Sequence, residues 1–305
     1  AVVGAAHWHM ERHVRYLTEA GAKLLDPVEE VEDALQAKPD AVLLLGRVAE
    51  MAERARHLIA EGVPLLAEKP LGLSPDEVTG VAELAAKKGA WVSVALVQRY
   101  DPIWGVLDDL RDENVLGEIA HAHVRIVNGP PQRYAAWGSG WMLDPKTAGG
   151  GALLNLGIHG MDYVRHLSGE ALEVVGAAVG RRAHGLPIED FGAATLRGAS
   201  GFVGTVEAGY TYPDAAAGMT RSGDNETRVA AQGAYLIGRD AELVLVTGSG
   251  ERPVDGGRSG DRYRDWAFDS LARLRAEKDP VADASDCLEA VRLVFAAYKA
   301  SPPLR

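Results

Sequence analysis

The first third of the chain alternates short apolar runs with amphipathic segments. Uninterrupted apolar runs such as residues 41–45 are typical of strands that are buried on both faces. The segments between the runs carry apolar residues at helical spacing. This alternation predicts a parallel sheet with helices on its faces. The predicted strands are residues 1–4, 22–25, 41–45, 65–67 and 91–97, and the predicted helices are residues 11–20, 28–37, 50–61 and 75–88.

The interval between the second and third predicted strands is short. Residues 26–40 leave room for one helix, whereas a dinucleotide-binding half often carries more chain there. Either this protein has a trimmed crossover or some residues are missing from the sequence, and the sequence alone leaves both explanations open. Because the chain begins with Ala1 and its first apolar run is short, we expect its N-terminus to be incomplete.

The pattern changes after Arg99. Strand-like runs follow one another with turn residues between them, which is typical of a largely antiparallel sheet. We therefore expect two domains, residues 1–98 and 99–305, with a closing helix that can pack back on the first. The glycine-rich stretch 248–260 is expected to be a mobile loop. The predicted strands are residues 118–127, 172–179, 191–197, 202–212, 227–232 and 242–246, and the predicted helices are residues 103–112, 152–167, 263–276 and 284–299.

Composition and charge disfavour several classes of function. The chain has 305 residues and a net charge of -11, which disfavours non-specific binding to nucleic acid or to an anionic membrane. Its apolar runs stay well short of the ~20 residues that a membrane span requires, and no secretory signal is visible at its start. The single cysteine, Cys287, excludes an internal disulfide and is expected to be a packing residue. A lone cysteine also fits a reducing compartment, so we expect a cytoplasmic protein.

Glu68-Lys69-Pro70 directly follows a run that is predicted to be a buried strand. A charged pair at the end of such a strand is costly unless it has partners or a function. Ligands of open α/β sheets collect at the carboxyl ends of strands. Partial burial moves the pKa of a lysine toward neutrality, which makes Lys69 a candidate proton carrier. The alternative is that Lys69 is a solvated loop residue.

The turn from Gly4 to His9 lies where the first strand leads into the first helix. The N-terminus of a helix favours anions, so the pyrophosphate of a nucleotide would bind there. The usual fingerprint is Gly-x-Gly-x-x-Gly, but only its first glycine is present, because Ala6 and His9 occupy the second and third positions. Taken alone, this motif is weak.

The same turn allows a second interpretation. His7 and His9 at the end of a first strand have the spacing of metal ligands, and His13 follows one helical turn later. Such a site needs further ligands at later strand ends, and the sequence supplies no obvious set. We therefore expect no metal, and we expect these histidines to face either solvent or a cofactor pocket.

Two charged residues bear on the choice of cofactor. Asp26 follows the second predicted strand, where an acid favours the free ribose hydroxyl of NAD over NADP. Asp26 can equally be the N-cap of the next helix. Arg47, after the third strand, can contact a phosphate or simply lie at the surface. The sequence therefore leaves NAD and NADP open.

A second group of polar residues lies in the second half of the chain. The glycines Gly149-Gly150-Gly151 open a predicted helix and allow close approach to another backbone. Asn155 and His159 are four residues apart and share one face of this helix. An amide beside an imidazole can hold a hydroxyl group and take its proton, because histidine titrates near neutrality. The alternative is a purely structural pair.

Together these motifs resemble the Gfo/Idh/MocA oxidoreductases, whose Glu-Lys-Pro motif ends a Rossmann strand. The family also carries a Gly-Gly-Gly-x-Leu-x-Asp-x-Gly-x-His-x-x-Asp segment, which residues 149–162 match except that Asn155 stands at the family's first aspartate. The resemblance extends over nearly the whole chain and includes Gln98-Arg99-Tyr100. It implies that Lys69 is the catalytic lysine and His159 the catalytic histidine. Besides Asn155, the chain departs from the family at the lost glycines and at Met51, where many members carry histidine.

The resemblance also implies an architecture and an activity. It implies an N-terminal Rossmann domain and a C-terminal domain built on an open-faced, mainly antiparallel sheet through which two or four copies assemble. The implied activity is hydride transfer between NAD or NADP and a secondary hydroxyl or ketone of a sugar, cyclitol or related polyol. The alternative within the same fold is a non-catalytic dinucleotide-binding sensor or regulator. An asparagine at position 155 keeps a hydrogen-bonding group but cannot carry the charge that supports an imidazolium.

The resulting site hypothesis has three parts. In the catalytic part, Lys69 and His159 meet over the nicotinamide ring and Asn155 orients the substrate. The residues expected to contact the cofactor are Gly4, Ala6, His7, Trp8, Gly46, Arg47, Glu68, Lys69 and Gln98. The residues expected to contact the substrate are Arg99, Trp141, Asn155 and His159. The alternative for Arg99 is that it braces the domain junction.

Overall fold

The computed structural model of the chain describes residues 1–213, 223–240 and 242–302. It contains two compact units. The first unit comprises Ala1–Val97, Gln132–Gly149 and Asp261–Arg292, and the second comprises Gln98–Pro131, Gly150–Gly260 and the chain from Leu293 onward. The expected boundary after residue 98 lies next to the observed one, but two later segments that we assigned to the second domain belong to the first unit.

The first unit is built on a four-stranded parallel sheet, as the alternating pattern predicts. Its strands are β1 (Val2–Val3), β2 (Val42–Leu44), β3 (Leu65–Ala67) and β4 (Val92–Val94), in that spatial order. All eleven of their residues are buried, which explains why the runs are apolar without alternation. The helices of this unit include α1 (Met10–Glu19), α2 (Val31–Gln36), α3 (Val48–Ala60) and α4 (Pro75–Lys88).

The predicted strand over residues 22–25 is wrong. The nearest residue that pairs with β1 is Val28, which lies after this run and forms a single bridge to Val3. The amide of Gly4 donates to the Val28 carbonyl at 2.9 Å, and the Val28 amide donates to Val2 at 3.0 Å. Leu25 is 38% exposed, so this stretch buries too little apolar surface to form a full strand. The short crossover accordingly contains only the six-residue helix α2.

Helix α4 begins and ends where its sequence predicts. The Ser74 hydroxyl accepts a hydrogen bond from the Glu77 amide at 3.3 Å, and Pro75 occupies the first turn. The Glu77 carboxylate in turn accepts from the Leu73 amide at 2.9 Å. Gly89 ends the helix in the left-handed conformation with φ +60°. This helix directly follows Glu68-Lys69-Pro70 and fixes the end of that segment.

The second unit is built on an eight-stranded sheet that is antiparallel except for one pair, β5 with β8. Its spatial order is β12-β11-β10-β9-β5-β8-β7-β6. The strands are β5 (Ile119–Asn128), β6 (Leu172–Gly180), β7 (Phe191–Gly198), β8 (Val203–Gly209), β9 (Gly223–Ala231), β10 (Tyr235–Arg239), β11 (Glu242–Thr247) and β12 (Gly250–Val254). The expected fold class, a Rossmann-type domain followed by a mainly antiparallel one, is confirmed.

Part of the expected mobile loop 248–260 is instead the edge strand β12, and β10 was not predicted. Leu243 of β11 pairs with Val254 of β12 in an antiparallel hairpin. Most side chains of β12 are exposed, so the strand needs no apolar alternation and its sequence carries no strand signal. Backbone pairing with β11 alone defines it.

The remaining elements connect the two sheets or cover them. Helix α8 (Ile158–Ser168) packs on β5 and β8 of the second unit. A Cβ at Gly160 would lie 2.7 Å from Val206, so glycine allows this close packing. The other helices are α5 (Ile103–Asp112), α6 (Arg133–Ala136), α7 (Pro145–Ala148), α9 (Arg262–Arg275) and α10 (Ala284–Ala300), with 3-10 turns at Val97–Tyr100 and Gly140–Leu143 and a π-helical turn at Leu153–Gly157.

Among the described residues, no helix combines the length and the apolar character that crossing a bilayer would require.

Candidate active site

In the first unit, the ends of β1 and β2 approach each other closely. Gly4 has φ +84°, and a Cβ there would overlap the Leu45 carbonyl. Gly46, directly after Leu45, has φ +125°. Both positions therefore favour glycine. Gly4 is favoured by its backbone angle and by its close contact with Leu45, and Gly46 by its backbone angle. They form the open end of the sheet, where ligands of α/β folds bind.

The turn between Gly4 and α1 is covered by a segment from later in the chain. The Ala6 carbonyl accepts hydrogen bonds from the Ser139 hydroxyl at 3.0 Å and from Trp141 Nε1 at 3.4 Å. Trp8 stacks on His7 with ring centroids 3.9 Å apart and lies 5.8 Å from the Trp141 ring. Trp141, which we expected among the substrate residues, is therefore a neighbour of the predicted cofactor turn.

This turn fits a dinucleotide in part. The first fingerprint glycine, Gly4, has the backbone angle that only glycine adopts readily, and the turn leads directly into the N-terminus of α1. Ala6 is exposed at the second fingerprint position, and His9 is the N-cap of α1 at the third. A pyrophosphate bound here would therefore meet a methyl group and an imidazole where the family has glycines.

Glu68 lies at the end of β3 and contacts two imidazole side chains and one backbone amide. Its Oε1 atom lies 2.8 Å from His9 Nδ1 and 2.7 Å from His13 Nε2, and its Oε2 accepts from the Lys69 amide at 3.2 Å. An ionised carboxylate only accepts hydrogen bonds, so both imidazoles donate to it. The His13 ring is fully buried and makes edge contacts with Trp266 and Tyr263. Glu68, which we expected to contact the cofactor, is thus engaged in holding α1.

Burial and mutual contact shift the pKa values of this cluster. Burial alone would raise the pKa of Glu68, but His9 and His13 outweigh it, and the pKa lies well below its ordinary value. Burial lowers the pKa of His7 well below its ordinary value against the opposing effect of Glu68. Burial also lowers the pKa of His9. At neutral pH, Glu68 is therefore ionised and His7 and His9 are neutral.

Lys69 follows Glu68 and is only 6% exposed, so it is not a solvated loop residue. Burial lowers the pKa of its ammonium group, while Glu68 and Cys287 oppose that shift. A lysine whose pKa is lowered toward neutrality can exchange a proton with a bound ligand more readily than an exposed one. This is the property that its sequence position predicts.

Arg47 and Gly46 follow β2 at the same end of the sheet. The Arg47 side chain is 55% exposed, and its Nη1 atom lies 3.5 Å from the Glu50 carboxylate. Such an exposed ion pair contributes little to stability and leaves the guanidinium accessible. Both sequence alternatives for Arg47, a phosphate contact and a surface role, remain compatible with this position.

In the second unit, Asn155 and His159 are both buried on the segment that leads into α8. Asn155 lies in the π-helical turn Leu153–Gly157, and His159 lies in the first turn of α8. The predicted uninterrupted helix over residues 152–167 is therefore divided. Turns of this type occur frequently at functional sites.

Tyr210 and Glu189 hold this segment, and neither was predicted from the sequence. Asn155 Nδ2 donates to the Tyr210 hydroxyl at 2.9 Å. The Glu189 carboxylate accepts from the amides of Gly151 at 2.7 Å and Leu153 at 3.0 Å, and from the Tyr298 hydroxyl at 2.6 Å. A sequence signal exists only for Glu189, since an acidic pair between apolar residues before a strand is unusual. Glu189 thus fixes the backbone at the start of this segment, and Tyr210 orients the Asn155 side chain.

Arg99 makes a buried ion pair within the second unit. Its Nε and Nη2 atoms donate to the two carboxylate oxygens of Asp162 at 2.9 and 2.7 Å. The two side chains are 3% and 0% exposed. A guanidinium committed to a bidentate pair has a structural role, which favours bracing over the expected substrate contact. The main-chain carbonyl of the neighbouring Gln98 accepts a hydrogen bond from Trp104 Nε1 at 2.9 Å.

The predicted residues thus fall into two groups. The first unit contains Gly4, Ala6, His7, Trp8, Gly46, Arg47, Glu68, Lys69 and Trp141, and the second contains Gln98, Arg99, Asn155 and His159. The roles assigned to Lys69, Asn155 and His159 remain predictions. What the structure adds is the network around each residue.

Comparisons with known proteins identify related sequences for both units. Residues 1–96 match the family model described as oxidoreductase family, NAD-binding Rossmann fold, and residues 106–236 match the GFO/IDH/MocA C-terminal domain. The rhizopine catabolism protein MocA of Rhizobium meliloti is 24% identical over 147 residues, or 47% of this chain and 42% of that protein. The myo-inositol dehydrogenase Hyg17 of Streptomyces leeuwenhoekii is 29% identical over 147 residues, or 46% of this chain and 41% of that protein. The aligned stretches thus span about two fifths of these curated relatives.

Solved structures extend the likeness to nearly the whole chain. A levoglucosan dehydrogenase in complex with NADH and levoglucosan superposes with a TM-score of 0.80 at 17% identity, covering 98% of this chain and 96% of that one. At this identity the likeness concerns the fold, whereas the two family matches together cover about three quarters of the sequence. The chain therefore belongs to the Gfo/Idh/MocA family of oxidoreductases, with an N-terminal domain of the NAD-binding Rossmann type.

Proposed function

We propose that the protein is an NAD- or NADP-dependent dehydrogenase or reductase that acts on a secondary hydroxyl, or its ketone, in a sugar, cyclitol or related polyol. The observation that carries this proposal is the buried Lys69, whose pKa burial lowers, directly after β3 of an NAD-binding domain. Names of relatives support the substrate class, since one is a myo-inositol dehydrogenase and another a levoglucosan dehydrogenase.

In this proposal the residues of the chain handle the proton and the charge. A bound nicotinamide supplies the acceptor or donor of the hydride. His159 removes the hydroxyl proton as the substrate carbon loses its hydride, and it returns the proton in the reverse direction. Lys69 donates a hydrogen bond to the same oxygen and stabilises the charge that develops on it.

Asn155 orients the substrate rather than supporting an imidazolium. Its Nδ2 group donates to Tyr210, so its carbonyl oxygen has a defined direction. An amide oxygen accepts a hydroxyl proton in a hydrogen bond without adding charge. Unlike the family's aspartate, it cannot supply the negative charge that supports an imidazolium.

The test is spectroscopic reduction of NAD and of NADP by a panel of sugars, cyclitols and other polyols, with the reverse reaction measured on the corresponding ketones. The proposal expects turnover with at least one member of the panel and one of the two cofactors. Tight binding of a dinucleotide without turnover of any member, in either direction, would contradict it.

A non-catalytic dinucleotide sensor is the second candidate. Ala6 and His9 in place of two fingerprint glycines favour it, as does Asn155 in place of the family's aspartate. A sensor would bind the dinucleotide and a protein partner, and its affinity for that partner would change with cofactor. The buried Lys69 favours the enzyme, because burying an ammonium group is costly unless it has a function.

The assembly we propose is a dimer or tetramer formed through the sheet of the second unit. Helix α8 packs on one face of this sheet, against β5 and β8, and most residues on the opposite face of the sheet are half-buried. That face carries cross-strand ion pairs, such as Arg125 with Glu207 at 2.9 Å and with Asp224 at 3.4 Å. One continuous row across it contains Thr195, Thr205, His123, Arg228, Ile237 and Val244. The occupant we propose is a second copy of this chain.

A further inference from the structure

The first unit contains a cluster that the proposed reaction does not use. His7 and His9 project from the turn after β1, and Glu68 lies at the end of β3. Each offers one ligand atom, and these atoms all lie within 4.8 Å of one another. The sequence argument against a metal was the lack of a further ligand for the two histidines. Glu68 supplies that ligand, and its place in the Glu-Lys-Pro motif obscured it.

We propose that His7, His9 and Glu68 bind a divalent transition-metal ion such as Zn²⁺. Two imidazole nitrogens and one carboxylate oxygen are a donor set that zinc takes in proteins, with a fourth position left for water or a ligand. All-oxygen ligands would suit Mg²⁺ or Ca²⁺, whereas imidazoles select transition metals. The donor set therefore identifies the class of ion.

The distances permit an ion after a small adjustment of the side chains. Metal–ligand bonds of about 2.1 Å in a tetrahedral site place the ligand atoms about 3.4 Å apart. The atoms here span up to 4.8 Å, and His9 and Glu68 are closer, at 2.8 Å. Binding thus requires side-chain rotations that bring the most distant ligand atoms closer by up to about 1.4 Å and open the His9–Glu68 contact slightly. These are rotations of side chains on a fixed backbone.

A second layer of contacts already orients the carboxylate. His13 Nε2 donates to Glu68 Oε1 at 2.7 Å, and the Lys69 amide lies 3.2 Å from Oε2. His13 is itself enclosed by Trp266 and Tyr263. Outer partners of this kind hold metal-binding carboxylates and typically change affinity about 10–100-fold when removed.

Metal binding changes the hydrogen bond between His9 and Glu68. His9 Nδ1 is the ring nitrogen that faces Glu68, so an ion shared by the two side chains replaces their hydrogen bond and the proton of the neutral ring moves to Nε2. Ligating imidazoles must be neutral and ligating carboxylates ionised, so protons compete with metal. The carboxylate supplies one negative charge, which offsets part of the charge of the ion.

Access to the cluster runs along the turn after β1. The His9 side chain is 17% exposed, and the adjacent Ala6 is exposed. The cluster lies at the turn where the pyrophosphate of a cofactor would bind, yet it consists of residues from one unit alone. Metal binding can therefore be measured on the protein without cofactor or substrate, independently of any dehydrogenase activity.

The experiment is a titration of chelator-treated full-length protein with Zn²⁺ by isothermal calorimetry, with a parallel titration of Co²⁺ followed by its visible absorption. We expect one ion per chain and an intense visible band from four-coordinate Co²⁺. His7→Ala and Glu68→Gln should each weaken binding about 100-fold or more, and His13→Gln about 10–100-fold. The matched control is His57→Ala, a half-exposed histidine of the same unit.

Two outcomes would overturn the proposal. One is the absence of stoichiometric Zn²⁺ binding to the wild-type protein. The other is binding that His7→Ala leaves unchanged while circular dichroism shows that this variant is folded. If Glu68→Gln fails to fold, His7→Ala decides alone, because His7 lies in a turn and donates no side-chain hydrogen bond to Glu68 among the contacts the structure describes.

Discussion

At the residue scale, Glu68 has a structural role that the Glu-Lys-Pro motif does not indicate. The Glu-Lys-Pro pattern draws attention to Lys69, and the structure shows that the preceding glutamate ties α1 to the end of β3 through His9 and His13. Nothing in the spacing of these residues predicts that contact, since 55 and 59 positions separate the partners. Lys69 and His159 were found through motifs, whereas their supporting residues were not.

Replacing the two proposed catalytic residues should reduce turnover and leave the fold intact. Lys69→Ala and His159→Ala should each lower kcat about 10²–10⁴-fold, because each removes a group that handles the proton or the charge of the reaction. Initial rates with the best substrate of the polyol panel measure this. Lys87→Ala, at an exposed position near the end of α4, is the control. Unchanged turnover in both variants would refute the assigned roles.

Arg99 offers a test between bracing and substrate binding. Arg99→Ala removes the bidentate partner of Asp162, which is 0% exposed, and leaves it only the more distant Arg165 at 3.7 Å among the described ion pairs, so the free energy of unfolding should fall by up to about 3–5 kcal/mol. Arg197→Ala, which breaks an ion pair between two side chains that are both more than half exposed, should cost less than about 1 kcal/mol. Urea denaturation measures both. A stable Arg99→Ala with a raised KM would instead support the substrate role.

The stability of the protein should fall on acidification. Burial lowers the pKa of His7 well below 6.5, so the unfolded chain takes up a proton below about pH 6.5 that the folded chain does not. Glu68, whose pKa in the folded protein lies well below 4.5, adds a further loss below about pH 4.5. His7→Gln should therefore flatten the decrease in unfolding free energy between about pH 7 and about pH 5.

Chemical denaturation across that range provides the measurement. His57→Gln, a half-exposed histidine, should keep the slope of the wild type. A His7→Gln variant with the same slope as the wild type would show that His7 does not titrate differently in the two states.

At the element scale, strong local signals predicted most of the helices and strands. Helix α4 has a serine N-cap, a proline in its first turn and a glycine C-cap, and its bounds match the prediction. β12 was missed because an exposed edge strand has no apolar period, and residues 22–25 were wrongly predicted because a short apolar run can fail to find a partner. The π-helical turn at Leu153–Gly157 was missed because helical spacing does not distinguish one helix type from another.

That turn depends on the anchor formed by Glu189 and Tyr298. Tyr298→Phe removes a 2.6 Å hydrogen bond to a buried carboxylate and should lower the free energy of unfolding by about 1–3 kcal/mol. Because Glu189 still accepts the amides of Gly151 and Leu153, the fold should persist. Thermal unfolding measures the change, with the half-buried Tyr212→Phe as control. Equal stability of the two variants would show that the anchor contributes nothing.

At the scale of the whole molecule, two sheets of different kinds were predictable and the path of the chain between them was not. Apolar runs with helical segments predict a parallel sheet, and consecutive strands with turns predict an antiparallel one. The return of Gln132–Gly149 to the first unit left no trace in the pattern, because long-range contacts determine it, whereas the sequence did allow a closing helix to pack back on the first domain. The family match supports the same two-part organisation.

The proposed assembly makes a prediction at this scale. Thr195 lies on β7, one strand from the edge of the second sheet, on the face opposite α8, and it is paired with Thr205 on β8. Thr195→Arg should place a bulky charge in the interface and convert the oligomer to monomers, since unpaired charge in an interface core is strongly disfavoured. Light scattering after size-exclusion chromatography measures the mass. Thr18→Arg, exposed on α1, should not change it, and a monomeric wild-type protein would refute the assembly.

The single parallel pair of the second sheet has a kinetic consequence. β5 and β8 meet across 82 positions of sequence, and the segment that contains Asn155 and α8 lies within that interval. Contacts between strands so far apart in sequence form slowly, because closing the loop costs entropy. Since α8 packs on both strands, we expect it to dock stably only after they have paired. The proposed general base therefore reaches its native position late in folding, so a nascent chain interrupted before β8 would be inert even with its histidine already synthesised.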